Sequence, residues 1–368
     1  MVTDPAQNDH LTVLTADSDL SFARHFENLC SEINGLQCLG LARSGPMLLA
    51  KMKNFQADLV FLGLDPSEFG TGVIEALKRI SPEVTIILLY PARHDPDVLV
   101  EALEAGAYEC LEKPDPSCSL PFNEFRLHIL TITGLLRSRK RFFKARKQAA
   151  FKSHFFMPAD REPDQKPLHS QAGLRHRTDL VVLAASTGGP EILSRIFSIL
   201  PGHLKVPVLL VQHIPAEITA LFAQSLNRKS ELEIIQAVHG VSLSPGRVYL
   251  APGGRHMTLS GKDDQGRHTL ALNTKPAVNG VRPSADVLFE SIARRFKGHV
   301  LAVVLTGMGE DGRQGISLLK QKSRCTCLTQ EAGTCVVYGM PRAIDEAGLS
   351  DESLDPLAIT EAIVRLAG

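Results

Sequence analysis

Residues 180–193 read LVVLAASTGGPEIL, in which an apolar run is followed by small residues and then by a helical pattern. An apolar run that ends in glycines predicts a buried strand joined to a helix by a tight turn. Repeated strand–helix units form parallel sheets, whose functional loops lie beyond the carboxyl ends of the strands. Ser186, which stands in the turn, is therefore the first candidate for a functional side chain.

The same alternation continues through the C-terminal half and predicts a doubly wound α/β domain over residues 178–368. Ser284 is expected to cap the helix formed by SADVLFESIARRF, because an N-cap serine accepts a hydrogen bond from a free helix amide. The predicted strands of this domain are residues 179–185, 206–212, 247–252, 268–273, 300–307 and 325–330.

The N-terminal half has a similar pattern and predicts a doubly wound, five-stranded parallel sheet with helices on both faces, over residues 9–122. Its apolar runs are continuous rather than alternating, as expected for strands that are covered on both sides. The predicted strands are residues 11–16, 37–42, 58–64, 84–90 and 108–112.

Residues 123–177 are expected to form a helical basic segment and a linker. From Arg137 to Lys152 the chain has eight Lys or Arg and no acidic residue. The following stretch, MPADREPDQKPLHSQAGLRHRT, is polar, contains three prolines and has no periodicity, which is typical of a linker. We interpret the basic run as a solvated helix end, and docking of an acidic partner is the alternative.

Composition excludes several classes of protein. The 40 Lys and Arg balance 40 Asp and Glu, so no net charge of the whole chain favours nucleic acid. The N-terminal residues do not resemble a signal peptide, and no apolar run approaches the roughly 20 residues that span a bilayer. Seven cysteines, an odd number, lack the spacing of a disulfide framework or a zinc site. We expect a cytoplasmic protein without membrane insertion, nucleic acid, metal or cofactor.

Three polar residues follow three long apolar strands of the C-terminal domain: Ser186, His213 and Asp311. The carboxyl ends of parallel strands share one edge of a sheet, so these residues are able to converge. A serine hydroxyl needs a base to take its proton, and an aspartate orients that base and stabilises its charged form. Small residues around Ser186 permit an exposed hydroxyl, and helix amides behind it can bind an oxyanion.

The residues around Ser186 do not match two other kinds of glycine-rich turn. A phosphate loop needs a lysine after its glycines, whereas Glu191 stands here and would repel phosphate. A nucleophile elbow has G-x-S-x-G, whereas Ala184 replaces its first glycine. Singly, Ser186 reads as a helix cap, His213 as a structural histidine and Asp311 as a turn residue. Their shared position at strand ends favours the catalytic interpretation.

Six segments resemble those of the chemotaxis protein-glutamate methylesterases, the CheB-type enzymes: AASTGGP, VQHIP, VYLAPGGRHM, VRPSADVLFESIA, VLTGMGEDG and CVVYGMPRAI. The resemblance implies a serine hydrolase that removes γ-methyl esters from glutamates of methyl-accepting chemotaxis receptors, and that also deamidates receptor glutamines. It assigns Ser186 as nucleophile, His213 as general base and acid, and Asp311 as the orienting carboxylate. It further implies an oxyanion site near Met308 and a cleft role for Thr187.

For Arg282 the resemblance leaves two roles open, lining of the substrate groove and structural support of the cleft. It requires no metal or cofactor, and it makes a chemotaxis histidine kinase a candidate partner. Two other functions stay open: a non-catalytic signalling or scaffold protein of the same fold, and a serine hydrolase that acts on another acyl substrate.

The resemblance also implies that the N-terminal domain is a response-regulator receiver with a flavodoxin-like fold, but one that has degenerated. Lys113 stands where receivers keep a lysine, whereas Gly63 stands at the usual position of the phospho-acceptor aspartate. Asp17 remains of the acidic pair, and Tyr90 replaces the usual Ser or Thr. No phosphorylation is expected, and Asp65 is the alternative acceptor if the strand end is shifted.

Overall fold

The computed structural model describes residues 10–65, 67–114, 119–155 and 178–368 of the chain. Contacts divide the chain into two compact units, Met1–Ala92 with Leu111–Arg175, and Arg93–Cys110 with His176–Gly368. A five-stranded sheet lies in the first unit except for the first two residues of its last strand, and a seven-stranded sheet with a separate hairpin lies in the second.

Strands and helices alternate along the first part of the chain. They are β1 (Leu11–Ala16), α1 (Leu20–Ser31), β2 (Leu36–Ala42), α2 (Gly45–Phe55), β3 (Leu59–Gly63), α3 (Thr71–Ile80), β4 (Thr85–Tyr90), α4 (Pro96–Glu104), β5 (Glu109–Glu112) and α5 (Ser119–Phe155). The sheet order is β2-β1-β3-β4-β5, and β1 pairs in parallel with β2 and β3. All side chains of β3 and β4 are buried, which is why their apolar runs are continuous. Each predicted strand is found, with its ends shifted by at most one residue.

The elements of the second unit continue the alternation. They are β6 (Leu180–Ala185), α6 (Gly189–Ile199), β7 (Val208–Gln212), α7 (Ala216–Lys229), β8 (Glu233–Gln236), β9 (Arg247–Leu250), β10 (His256–Lys262), β11 (His268–Asn273), α8 (Ala285–Arg295), β12 (His299–Val304), α9 (Arg313–Lys322), β13 (Arg324–Gln330), α10 (Met340–Glu346), β14 (Glu352–Leu354) and α11 (Pro356–Ala367). The order β14-β13-β12-β6-β7-β9-β8 is parallel throughout. The predicted α/β fold of both domains is thus confirmed.

Three strands of the second unit were not predicted, and each has a physical reason. β8 and β14 are short edge strands with exposed positions, so they carry little apolar pattern. β10 forms an antiparallel hairpin with β11 outside the main sheet. The predicted strand 300–307 ends at Val304 in the structure.

The core of the second unit lies between the sheet and its helices. Phe289 and Ile292 of α8 are completely buried in one cluster with alternate residues of β6 and β12. Ser284 caps α8 as predicted, and its side chain accepts a hydrogen bond from the amide of Val287. α8 is therefore fixed against the strands whose ends carry the candidate site.

The basic segment forms the second half of α5, a helix of 37 residues. Two of its cations are bonded within the first unit. Arg137 Nη1 donates to the carbonyl of Asn34 at 2.8 Å, and Lys140 Nζ lies 2.7 Å from Asp58 Oδ2. The polar stretch predicted as a linker lies, except for Thr178, outside the described residues. Within the described residues no helix is long and apolar enough to cross a membrane.

Candidate active site

The carboxyl ends of β6, β7 and β12 meet at one edge of the second sheet, and the predicted site residues follow them. β6 pairs with β7 so that Ala185 lies opposite Gln212, which places the next residues, Ser186 and His213, side by side. β6 pairs with β12 on its other side, and the loop after β12 carries Asp311. Three positions far apart in the sequence therefore share one corner of the sheet.

The turn that carries Ser186 is held by its own backbone. The amide of Ser186 donates to the carbonyl of Thr306 at 3.0 Å, and the amide of Gly189 donates to the carbonyl of Ser186 at 2.8 Å. Gly188 has a φ of 77°, in the left-handed region that glycine adopts without strain. A Cβ atom at Gly188 would also overlap the side chain of Val336. The turn conformation and the packing against Val336 both favour glycine at this position.

His213 and Asp311 form a pair that is nearly closed to solvent. Nε2 of His213 lies 3.0 Å from Oδ2 of Asp311, and the side chains are 10% and 3% exposed. An ionised carboxylate only accepts hydrogen bonds, so Nε2 carries the proton and Nδ1 is left as the basic nitrogen. Within the described chain, Ser186 Oγ makes no hydrogen bond to His213. The structure thus joins two of the three predicted side chains directly and places the third beside them.

The carboxylate of Asp311 lies at the N-terminus of α8. It accepts hydrogen bonds from the hydroxyl of Ser284 (2.7 Å) and from the amides of Ala285 (2.6 Å) and Asp286 (3.1 Å). Burial by itself raises the pKa of Asp311, but the hydrogen bonds from His213, Ser284 and Ala285 outweigh it and hold the pKa below its usual range. Asp311 is therefore kept ionised, as an orienting carboxylate must be.

Gln212 joins the ends of β6 and β7 and was not predicted as a site residue. Its Nε2 donates to the carbonyl of Ser186 at 2.8 Å and to that of His213 at 3.2 Å. It is 1% exposed, although its amide is polar. A glutamine at the end of an otherwise apolar buried strand is the sequence signal that identifies such a residue.

Gly307 packs directly against Ser186. A Cβ atom built on Gly307 would lie 2.8 Å from Cβ of Ser186, so the peptide between Gly307 and Met308 passes beside the serine. Among the described residues the amide of Met308 has no hydrogen-bond partner, and a free amide of this kind can serve an oxyanion. Thr187 is half-buried, and its carbonyl accepts the hydroxyl of Thr306 at 3.0 Å.

Arg282 is exposed, and its guanidinium is bonded to the backbone. Nη1 donates to the carbonyls of Thr274 (3.1 Å) and Lys275 (3.0 Å). The carbonyl of Arg282 accepts the amide of Gly254 at 2.9 Å. These bonds hold the guanidinium against the backbone of residues 274–275. Contact with a substrate remains a prediction.

His256 supports the site from behind and is completely buried. The amide of Ser284 donates to its Nδ1 at 3.2 Å, so its Nε2 carries the proton and faces the carbonyl of Pro276 at 3.0 Å. The ring thereby ties the N-cap of α8 to the preceding loop.

In the first unit, the carboxylate of Asp17 occupies the space beside Gly63. A Cβ atom at Gly63 would overlap Oδ2 of Asp17, and this oxygen lies 2.7 Å from Nζ of Lys113. Asp65 turns towards Ser67, whose hydroxyl donates to it at 2.6 Å, and the hydrogen bond from Ser67 lowers the pKa of Asp65. The two described carboxylates near the strand end are thus both bonded within the protein.

Comparison with known proteins matches residues 181–363 to the CheB methylesterase family and residues 13–120 to the response regulator receiver domain. A protein-glutamate methylesterase/protein-glutamine glutaminase of Desulfotalea psychrophila is 30% identical over 363 residues, 96% of this chain and 98% of that protein. Protein-glutamate methylesterase/protein-glutamine glutaminase 5 of Myxococcus xanthus is 35% identical over 358 residues, 96% of this chain and 97% of that protein. The crystal structure of the Thermotoga maritima CheB methylesterase catalytic domain is 36% identical, with a TM-score of 0.49, and covers 51% of this chain and 98% of that chain.

The likeness to these relatives covers nearly the whole chain, so it includes both domains in the same order. The two matched regions correspond to the two sheets, the receiver region to the first and the methylesterase region to the second. This chain therefore belongs to the CheB methylesterase family and carries an N-terminal response regulator receiver domain.

Proposed function

We propose that this protein hydrolyses γ-methyl esters of glutamate residues on methyl-accepting chemotaxis receptors in the cytoplasm. The observation that carries the proposal is the His213–Asp311 pair, which is nearly closed to solvent and lies next to Ser186 at one corner of the sheet. The near full-length likeness to proteins named protein-glutamate methylesterase/protein-glutamine glutaminase supports the substrate class. A chemotaxis histidine kinase is the partner that a receiver domain favours.

The proposed mechanism uses side chains and water. Nδ1 of His213 takes the proton of Ser186 as Oγ attacks the ester carbonyl, and Asp311 stabilises the imidazolium. The amide of Met308 binds the oxyanion, and Thr187 lines the cleft. The imidazolium returns its proton to the leaving methoxide, methanol departs, and water hydrolyses the acyl-enzyme by the reverse sequence.

The same groups are suited to deamidation of a glutamine side chain. An amide leaves as ammonia only after its nitrogen is protonated, and His213 holds the proton that this step needs. Both substrates give the same acyl-enzyme, in which Ser186 is esterified to the glutamate γ-carbonyl. The second half of the reaction is therefore common to both.

The substrate is tested by methanol release from membranes that contain methyl-esterified receptors. We expect the wild-type protein to release methanol until the esters are exhausted, with membranes of unmethylated receptors as the control. Hydrolysis of a small activated ester without methanol release from receptors would instead identify a serine hydrolase of another acyl substrate. Activity towards neither would favour a scaffold protein.

We also propose that the receiver domain is not phosphorylated at the end of β3. Gly63 offers no carboxylate, and the space beside it is filled by Asp17, which is paired with Lys113. Asp17 is therefore the carboxylate that faces the lysine, and its burial in this ion pair withdraws it from a phosphodonor. Control of the enzyme through this domain then depends on docking or on a signal other than phosphoryl transfer.

This proposal predicts no gain in mass when the protein is incubated with a small-molecule phosphodonor and magnesium. The variant Gly63→Asp is also expected to stay unlabelled, because its new side chain meets the carboxylate of Asp17. A receiver domain with an intact acceptor aspartate serves as positive control in the same mass spectrum. A phosphoryl group on Asp17 or Asp65 that raises methylesterase activity would contradict the proposal.

A further inference from the structure

Behind Asp311 lies a second buried carboxylate, that of Asp286, which takes no part in the mechanism above. Asp286 is 5% exposed. Burial raises its pKa, as does the charge of Asp311, while hydrogen bonds from Gly315 and Asn279 partly offset the rise. A carboxylate that is buried beside another one is costly unless donors surround both.

Each of the two carboxylates accepts backbone amides at the start of a helix to which it does not belong. Asp311, from the loop before α9, accepts the first amides of α8, those of Ala285 and Asp286. Asp286, from α8, accepts the amide of Gly315 in the first turn of α9 at 2.7 Å. Asp311 therefore caps the start of α8, Asp286 caps the start of α9, and the positive end of each helix dipole faces a carboxylate.

Close packing of α9 against α8 accompanies these hydrogen bonds. A Cβ atom at Gly315 would lie 2.5 Å from Cβ of Phe289 and 3.1 Å from the carbonyl of Asp286. Glycine at this position thus lets α9 approach α8 closely enough for the capping hydrogen bonds. The loop that carries Asp311 is thus held in two places. The side chain of Asp311 binds the start of α8, and the helix that follows the loop, α9, is capped by Asp286.

Asn279 bridges the two carboxylates. Its Nδ2 lies 2.8 Å from Oδ2 of Asp286 and 3.3 Å from Oδ1 of Asp311. It precedes Gly280, both have positive φ (55° and 76°), and the flanking valines pair in an antiparallel bridge. Asn-Gly with two positive φ values is the signature of a tight hairpin turn, which holds the asparagine side chain in place.

We propose that Asp286 and Asn279 are positioning residues for the orienting carboxylate, Asp311. Asp286 fixes the Asp311 loop by capping α9, and Asn279 supplies one donor to each carboxylate. Neither residue contacts Ser186 in the described structure. The inference rests on the proposed function only in so far as Ser186, His213 and Asp311 act together.

The test uses the full-length protein and a fluorophosphonate, so it does not depend on the natural substrate. In this reaction Ser186 Oγ bonds to phosphorus, fluoride leaves, and the serine proton passes to His213. We expect kinact to fall about 10-fold in Asn279→Gly and about 100-fold in Asp286→Asn, with KI unchanged, because displacement of a reacting group by about 1 Å costs about 10²-fold. Glycine accepts the positive φ at position 279, so this variant retains the turn.

Asp351→Asn is the matched control. Like Asp286, Asp351 accepts a backbone amide, that of Cys327 at 2.7 Å, and it forms an ion pair with Lys320. In the described structure it makes no hydrogen bond to Asp311, Asp286 or Asn279. We expect Asp351→Asn to alter the free energy of unfolding and to leave kinact unchanged. Wild-type kinact in both test variants, or an equal loss in Asp351→Asn, would overturn the proposal, as would a wild type that is not labelled. Labelling without methanol release from receptors would instead reject the proposed substrate, and the kinact comparison would still decide the positioning role.

Discussion

Ser186→Ala is expected to lower kcat for methanol release by about 10⁶-fold, the scale measured when a triad serine is removed. Alanine fits the turn, because the hydrogen bonds of the turn use backbone atoms and no side-chain atom of Ser186. KM is expected to stay close to that of the wild type, because the hydroxyl acts in the chemical step. The measurement is the initial rate of methanol release at saturating methylated receptor.

A serine on the surface of the same unit provides the control. Ser198 of α6 is exposed, and its hydroxyl only bonds back to the carbonyl of Arg195. Ser198→Ala should therefore release methanol at the wild-type rate. Release that survives in Ser186→Ala would show that another residue is the nucleophile.

Asp311→Asn is expected to lower kcat by about 10⁴-fold, because an amide in place of the carboxylate favours the wrong tautomer of the histidine. The structure also predicts a loss of stability in this variant. One carboxylate oxygen accepts His213 and the amide of Ala285, and the other accepts the hydroxyl of Ser284 and the amide of Asp286. Either orientation of the asparagine places an NH₂ group against N–H donors. We therefore also expect a loss of about 1–3 kcal/mol in the free energy of unfolding.

Asp355→Asn separates these effects from the general loss of a capping carboxylate. Asp355 caps α11 and accepts the amides of Leu357 (2.8 Å) and Ala358 (2.9 Å). Asparagine is an equally good N-cap there, so both kcat and the unfolding midpoint should be unchanged. The comparison needs steady-state kinetics and denaturant unfolding of the two variants. Wild-type kcat in Asp311→Asn would remove Asp311 from the mechanism.

The architecture was predictable because its signals are local. The alternation of strand-like and helical patterns identified all five strands of the first sheet, and Ser284 was recognisable as a cap from the residues next to it. β8 and β14 were missed because short, partly exposed edge strands lack that signal. Ser186 and His213 were recognisable because parallel strands place their carboxyl ends on one edge.

The supporting residues could not be found in the same way. Gln212 carries a weak signal, as a polar residue in a buried strand, but its two acceptors become apparent only when β6 and β7 are paired. Asn279 reads as an ordinary turn residue beside glycine. Nothing local indicates that its side chain faces two carboxylates.

From the sequence we could predict the two α/β domains, the candidate nucleophile with its base and carboxylate, and the glycine at the acceptor position of the receiver. Hydrophobic periodicity and turn chemistry act over a few residues, so they can be read along the chain. The folded structure was needed to show that Nε2 of His213 faces Asp311, that Asp17 fills the space beside Gly63, and that Asp311 and Asp286 cap α8 and α9. These contacts join residues far apart in sequence, and their geometry depends on how packed helices and strands place the loops between them.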